Sequence, residues 1–201
     1  MVLRKPLVLA SRSPRRLHLL RQIGLDPLVI PCDIPEAFDS GRSAGENAEW
    51  LAVQKAEAAA PGLHDCLVLG ADTIVTIDGM MLGKPQDRED AVRMLTLLSG
   101  RTHLVHTGFA VIDRPSLTLI KGVEETRVSF RGLPPDEIAA YVAGGSPMDK
   151  AGAYGIQDDY GAVFVQRVEG CFYNVVGLPL AALYAALQSL HAVQSIRPEN
   201  G

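Results

Sequence analysis

Residues 6–30, "PLVLASRSPRRLHLLRQIGLDPLVI", most constrain what this chain can fold into. The continuous apolar run "PLVLAS" predicts a buried strand. Ser13, Pro14, the apolar beat of Leu17, Leu20 and Ile23, and a closing Gly24 then predict a short helix with its N-cap, first-turn proline and C-terminal glycine in their usual places. "PLVIPCDIPEAF" predicts a second strand running into a loop, which completes a strand-helix-strand unit. The helix start carries Arg15 and Arg16, although cations there are disfavoured by roughly 0.3–1 kcal/mol each. An anion held by free N–H groups, the hydroxyls of Ser11 and Ser13, and Arg15 or Arg16 would remove the anomaly. Two solvated arginines at small cost are the equal alternative.

The same alternation continues. Ser43 and Glu46 form a capping box for a helix to about Ala60, stopped by Pro61. On its apolar face Lys55 interrupts Ala48, Leu51, Ala52 and Ala59. "CLVLGADTIVTIDGMML" holds two strand-like runs joined by an Asp78-Gly79 hairpin turn. Asp87 starts a helix lined by Ala91, Met94, Leu95 and Leu98 and closed by Gly100. "HLVHTGFAVI" and "GVEETRVSF" predict longer strands, "PPDEIAAYVAGG" a short helix, "GAVFVQRVEG" a strand, and "LPLAALYAALQSLHAV" a terminal helix; "SIRPENG" is expected to fray. With hairpins among the crossovers, the class is α/β (mixed α+β), built on a mixed sheet flanked by helices. Residues 1–201 are expected to form a single domain without a linker.

Charge and cysteine usage narrow the function. A net charge of -4 argues against a broad nucleic-acid-coating surface, so any anion site is local. Cys32, Cys66 and Cys171 are widely spaced and form no Cys-x-x-Cys pair, which indicates neither a zinc ribbon nor a disulfide framework and suits buried thiols in a reducing cytoplasm. No apolar run is long enough to span a bilayer, and no membrane partner is expected.

Several polar residues stand where chemistry could use them. Asp72 and Thr73 follow the apolar run Leu67–Leu69, so Asp72 reads as an aspartate at a strand end, where α/β proteins hold ligands or metals, or as a turn former. Lys55 reads as a lysine that snorkels to water, with functional use the minority reading. Lys84 in "LGKP" is a rigidly presented or merely solvated cation. "SPMDKAGAYGIQDDYG" combines Asp149, Lys150 and Gln157 with small residues that allow close backbone approach to a ligand, yet has neither a P-loop nor a Gly-x-Gly-x-x-Gly pattern. His103 and His106 fall on opposite faces of one strand and read as structural.

The ordered set "LASRSPRR", "GADTIV", "LGKP", "MDKAGAYGIQ" and "NVVGLPL" closely resembles the Maf family of nucleotide pyrophosphatases, first associated with inhibition of septum formation. The match runs from about Leu7 to Leu187. The resemblance implies an elongated mixed sheet with two lobes around a central cleft, similar to inosine-triphosphate pyrophosphatases. It implies a cytoplasmic, divalent-metal-dependent hydrolase, using Mg²⁺ or Mn²⁺, that cleaves nucleoside triphosphates between the α and β phosphates. A homodimer is a weaker implication.

Residue by residue, Asp72 matches the family's proton acceptor, and Arg15, Thr73 and Gln157 match positions tied to substrate choice. Lys55, Lys84, Asp149 and Lys150 match other polar positions of the cleft, and Glu36 matches an acid that would hold metal with Asp72. The "AYGIQ" form resembles the branch acting on dTTP and UTP. Two departures stand out: Pro35 replaces an acid frequent in relatives, and "DDYGA" after Gln157 is longer than the family form. The rival readings are a pyrophosphatase for modified nucleotides such as 7-methyl-GTP, and a nucleotide-binding regulator of cell division with little turnover.

Overall fold

The structure is a computed structural model that describes residues 1–32, 34–35, 37–157 and 160–195. Its elements in chain order are β1 (Val2–Leu3), β2 (Leu7–Ala10), α1 (Pro14–Gln22), β3 (Leu28–Val29), α2 (Ala44–Ala59), β4 (Leu67–Ile77), β5 (Met80–Leu82), α3 (Arg88–Leu98), β6 (Thr102–Asp113), β7 (Leu119–Phe130), α4 (Pro135–Ala143), β8 (Val165–Glu169), α5 (Phe172–Val176), α6 (Leu180–Ser189) and β9 (Val193–Ser195). Three short 3-10 helices, Ser146–Asp149, Ala151–Ala153 and Tyr160–Phe164, separate α4 from β8.

The central sheet is mixed, in the order β3-β2-β4-β6-β7-β8, with β5 added to β4. Strand β2 runs parallel to β3 and β4, whereas the β4–β5 and β7–β8 pairs are antiparallel. The parallel pairs follow from helical crossovers, and the β4–β5 pair follows from the two-residue turn at Asp78 and Gly79, both with positive φ.

Contacts divide the chain into two units. The first comprises Met1–Asp72, Thr107–Glu124 and Gly177–Gly201, and the second Thr73–His106 and Glu125–Val176. The first unit has a core of small residues: Ala52 and Ala56 of α2 pack with Val8, Ala10, Val68 and Ala110 of the strands. Two glycines let this helix lie against the sheet. A Cβ on Gly70 would come within 2.1 Å of the Ala52 carbonyl oxygen, and one on Gly108 within 2.3 Å of the Ala48 carbonyl. The second unit has a bulkier core, in which Leu95 and Leu98 of α3 meet Phe130, Tyr141, Tyr154 and Phe164.

Local signals predicted most elements. Ser13 is the N-cap of α1 and Gly24 adopts φ +78, although the Ser13 side chain makes no capping bond. The Ser43–Glu46 capping box forms in full, and α3 starts on Asp87 with Ala91, Met94, Leu95 and Leu98 buried. Three expectations need correction. "GAVFVQRVEG" is a 3-10 helix before it is a strand, because the Arg131 backbone N–H bonds the Phe164 carbonyl and only from Val165 does β8 register with β7. Ser195 belongs to β9, which pairs with β1, while residues 196–201 of the expected frayed end lie outside the described residues. The strand expected in "PLVIPCDIPEAF" is only two residues long, Leu28–Val29.

Candidate active site

In the first unit, β4 and α2 are brought close enough by Gly70 for one ion pair to form between them. Lys55 Nζ donates to Asp72 Oδ1 at 2.5 Å, and both side chains are more than nine-tenths buried. Lys55 therefore does not snorkel to water, and Asp72 is not at a strand end: β4 continues to Ile77. The strand continues because Val75 and Ile77 bury their side chains in the second core and pair with Leu82 and Met80 of β5. A buried carboxylate without a partner would be costly, and the ammonium supplies that partner.

The same unit holds the start of α1. Arg16 is buried: its Nε donates to the Gly177 carbonyl at 2.8 Å and its Nη1 to Ser11 Oγ at 3.1 Å. Ser11 Oγ also accepts from the Ser13 backbone N–H at 3.2 Å. The second arginine of the puzzling pair is thus a strut that ties "SRS" to the "VGLP" segment. Arg15 and Ser13 are half-buried beside it. Glu36 lies outside the described residues.

The second unit holds the other candidates. Thr73 follows Asp72 directly and is half-buried, and Lys84 is exposed on the turn after β5. Lys150 is buried, and its Nζ donates to Asp149 Oδ1 at 2.8 Å and to the Ser146 carbonyl at 2.5 Å. Gly152 closes this turn with φ +69; its N–H donates to the Gly83 carbonyl at 3.0 Å, and a Cβ there would press on Val75. The Lys84 turn and the Lys150 turn are therefore bonded to each other. Gln157 is half-buried beyond them.

Three further polar arrangements lie in the same unit. His103 Nε2 lies 2.9 Å from the Tyr154 hydroxyl, and burial pushes its pKa down to about 4 while pushing the Tyr154 phenol up. Asn174, also buried, donates from Nδ2 to the Val105 carbonyl at 3.0 Å and to Thr126 Oγ1 at 2.8 Å, which fixes the segment that leads to Gly177. His106 bonds Thr76 Oγ1 through Nε2 at 3.1 Å, with Nδ1 3.5 Å from Glu125. Its pKa falls because desolvation outweighs the attraction of Glu125.

Sequence reading missed Gly70, Gly108, Tyr154 and Asn174. A lone glycine inside a strand pattern marks close backbone approach, so the two glycines carried a usable signal. The Asn174 bonds span 48 and 69 residues and carried none.

Among the described residues, Asp72 can offer a cation a ligand of suitable chemistry. Lys55 engages Oδ1 of Asp72, and the second carboxylate oxygen is a hard donor of the kind that Mg²⁺ or Mn²⁺ accepts beside phosphate oxygens and water. Among the described residues, no group of three or more His, Cys, Asp or Glu is arranged to hold a metal ion. Among them, too, no helix is long and apolar enough to cross a membrane.

Comparison with known proteins gives this geometry a family. A protein of Pelotomaculum thermopropionicum named dTTP/UTP pyrophosphatase is 49% identical over 179 residues, covering 89% of this chain and 93% of its own. One of Moorella thermoacetica with the same name is 52% identical over 176 residues, covering 87% and 89%. Among solved structures, the Ham1 protein of Staphylococcus aureus aligns with a TM-score of 0.53 at 19% identity, over 92% of this chain and all of that one, and so shares the fold. The family model described as Maf-like protein matches residues 6–190, a span that includes Ser11, Lys55, Asp72, Lys84, Lys150 and Gln157; the chain belongs to the Maf family.

Proposed function

We propose that this chain is a nucleoside triphosphate pyrophosphatase that hydrolyses dTTP and UTP to the monophosphate and pyrophosphate. The observation that carries the reading is the buried Lys55–Asp72 pair, in a chain about half identical to relatives bearing the name dTTP/UTP pyrophosphatase. Lys55 fixes one oxygen of Asp72, so the carboxylate keeps a single orientation. Its other oxygen then orients the attacking water and accepts its proton, the work of a general base.

A triphosphate must have its charge neutralised before water can approach phosphorus. The N–H groups at the start of α1, the hydroxyls of Ser11 and Ser13, and Arg15 suit phosphate oxygens, and Arg16 keeps that segment in place. Lys84 and Lys150 are the further cations that the Maf motifs assign to the triphosphate, Lys150 being oriented by its bond to Asp149. Asp72, with Glu36, would hold a divalent cation, which when bound supplies charge neutralisation at the phosphates. Gln157 presents both a donor and an acceptor, matching the O4 and N3 edge of thymine or uracil, and Thr73 assists in that choice. Free cysteines suit a cytoplasmic setting.

The test is a panel of dTTP, UTP, CTP and 7-methyl-GTP with Mg²⁺ or Mn²⁺, with pyrophosphate and orthophosphate separated. Fastest pyrophosphate release from dTTP and UTP is the expected result. Orthophosphate as the product, a preference for 7-methyl-GTP, or binding without turnover would each overturn the reading.

A further inference from the structure

We propose that His103 and Tyr154 form a positioning pair for the loop that carries Gln157, so that discrimination among bases depends on a hydrogen bond buried behind that loop. The inference rests on the reading of Gln157 as the residue that faces the base.

Both shoulders of the loop are fastened to one place on β7. On the upstream side, the Tyr154 ring meets Phe130 edge to face with centroids 4.7 Å apart and His103 at 5.4 Å, and its hydroxyl bonds His103 Nε2. On the downstream side, Phe164 is fully buried and contacts Phe130 at 6.0 Å and Tyr141 at 5.0 Å. Arg131, next to Phe130, donates from Nε to the Val163 carbonyl at 2.8 Å and is itself braced by two bonds to Glu137. Gly155, Ile156 and Gln157 therefore leave a fixed point at Tyr154, and the chain returns to a fixed point at Phe164.

Packing alone does not require polar atoms here. Phenylalanine and an aliphatic side chain would fill similar space without desolvating a phenol and an imidazole. His103 is 2% exposed, and its Nδ1 has no hydrogen-bond partner among the described residues, so the pair carries an uncompensated polar atom. What the hydrogen bond adds is direction: it fixes how far Tyr154 enters the core and hence where Gly155 to Gln157 begin.

Tyr154→Phe removes one oxygen and keeps the ring. The expected result is a three- to tenfold fall, as an order of magnitude, in the dTTP-to-CTP ratio of kcat/KM, carried by KM for dTTP rather than by kcat. Amide hydrogen exchange across residues 155–157 should also quicken about tenfold, with strand β6 unchanged. In the double variant His103→Leu/Tyr154→Phe, both polar partners are gone, so stability recovers while discrimination stays low. If the double variant regains discrimination together with stability, or if Tyr154→Phe leaves both exchange and ratio unchanged, the pair is only core packing and the proposal fails. Gln157→Ala separates the two readings: if it leaves the ratio untouched, the base-reading role of Gln157 is what fails. If it lowers the ratio and Tyr154→Phe does not, the positioning role fails alone.

Discussion

The two units hold their polar residues by opposite means. In the first, backbones approach closely because Gly70, Gly108, Ala48, Ala52 and Ala56 are small, and the helix so placed delivers a lysine to a buried aspartate. In the second, large rings of Phe130, Tyr141, Tyr154 and Phe164 interlock and hold short turns that carry Lys150 and Gln157. Close backbone approach between rigid elements suits a charge that must stay within a fraction of an ångström. Turns on an aromatic base can change their side chains without moving the core beneath them.

The sharpest way to break this contrast is to add bulk in the first unit. Gly70→Val sets two branches where even one Cβ meets the Ala52 carbonyl at 2.1 Å, so more than about 3 kcal/mol should be lost in urea unfolding. Recovery of fully stable protein would show that α2 is not held by close approach. Lys55→Met should rank next, costing about 3 kcal/mol because it strands a buried carboxylate. Adding Asp72→Leu to Lys55→Met should restore much of that stability without restoring activity, and failure to restore it would mean that Lys55 acts through packing.

Acid should test the second unit. His103 titrates at about 4 when folded against 6.5 for the free side chain, so between these values the unfolded chain binds the extra proton. Its contribution to stability is present above pH 6.5 and is lost as pH falls toward 4. Replacing His103 by Leu should flatten the stability profile in that window, and an unchanged slope would assign the acid sensitivity elsewhere. A smaller effect is expected at Arg93, whose exposed side chain pairs with Asp90 one turn away: Arg93→Ala should change stability by less than about 0.5 kcal/mol.

The fold was legible wherever the signal was local. The cap and proline of α1, the Ser43–Glu46 box, the Asp78-Gly79 turn and the buried stripe of α3 all lie within a few residues of the structure that they specify. What escaped depends on residues far apart in sequence. β9 joins β1 across nearly the whole chain, the Arg16 strut reaches 161 residues to Gly177, and Asp72 sits in mid-strand because downstream Val75 and Ile77 have a second core to enter. In the site, residue types were legible from motif resemblance, whereas the state of each was not. Lys55 and Arg16 both read as surface cations in isolation, and both are buried on partners that no local pattern names.

In the proposed reaction Asp72, oriented by Lys55, readies the water that cleaves the triphosphate. Its most direct test is pyrophosphate release from dTTP by Asp72→Asn, alongside nucleotide binding by calorimetry. Turnover should fall at least about a thousandfold with binding within tenfold, as expected when a general base is removed and phosphate contacts remain. Near-normal turnover by the folded variant would remove Asp72 as the base.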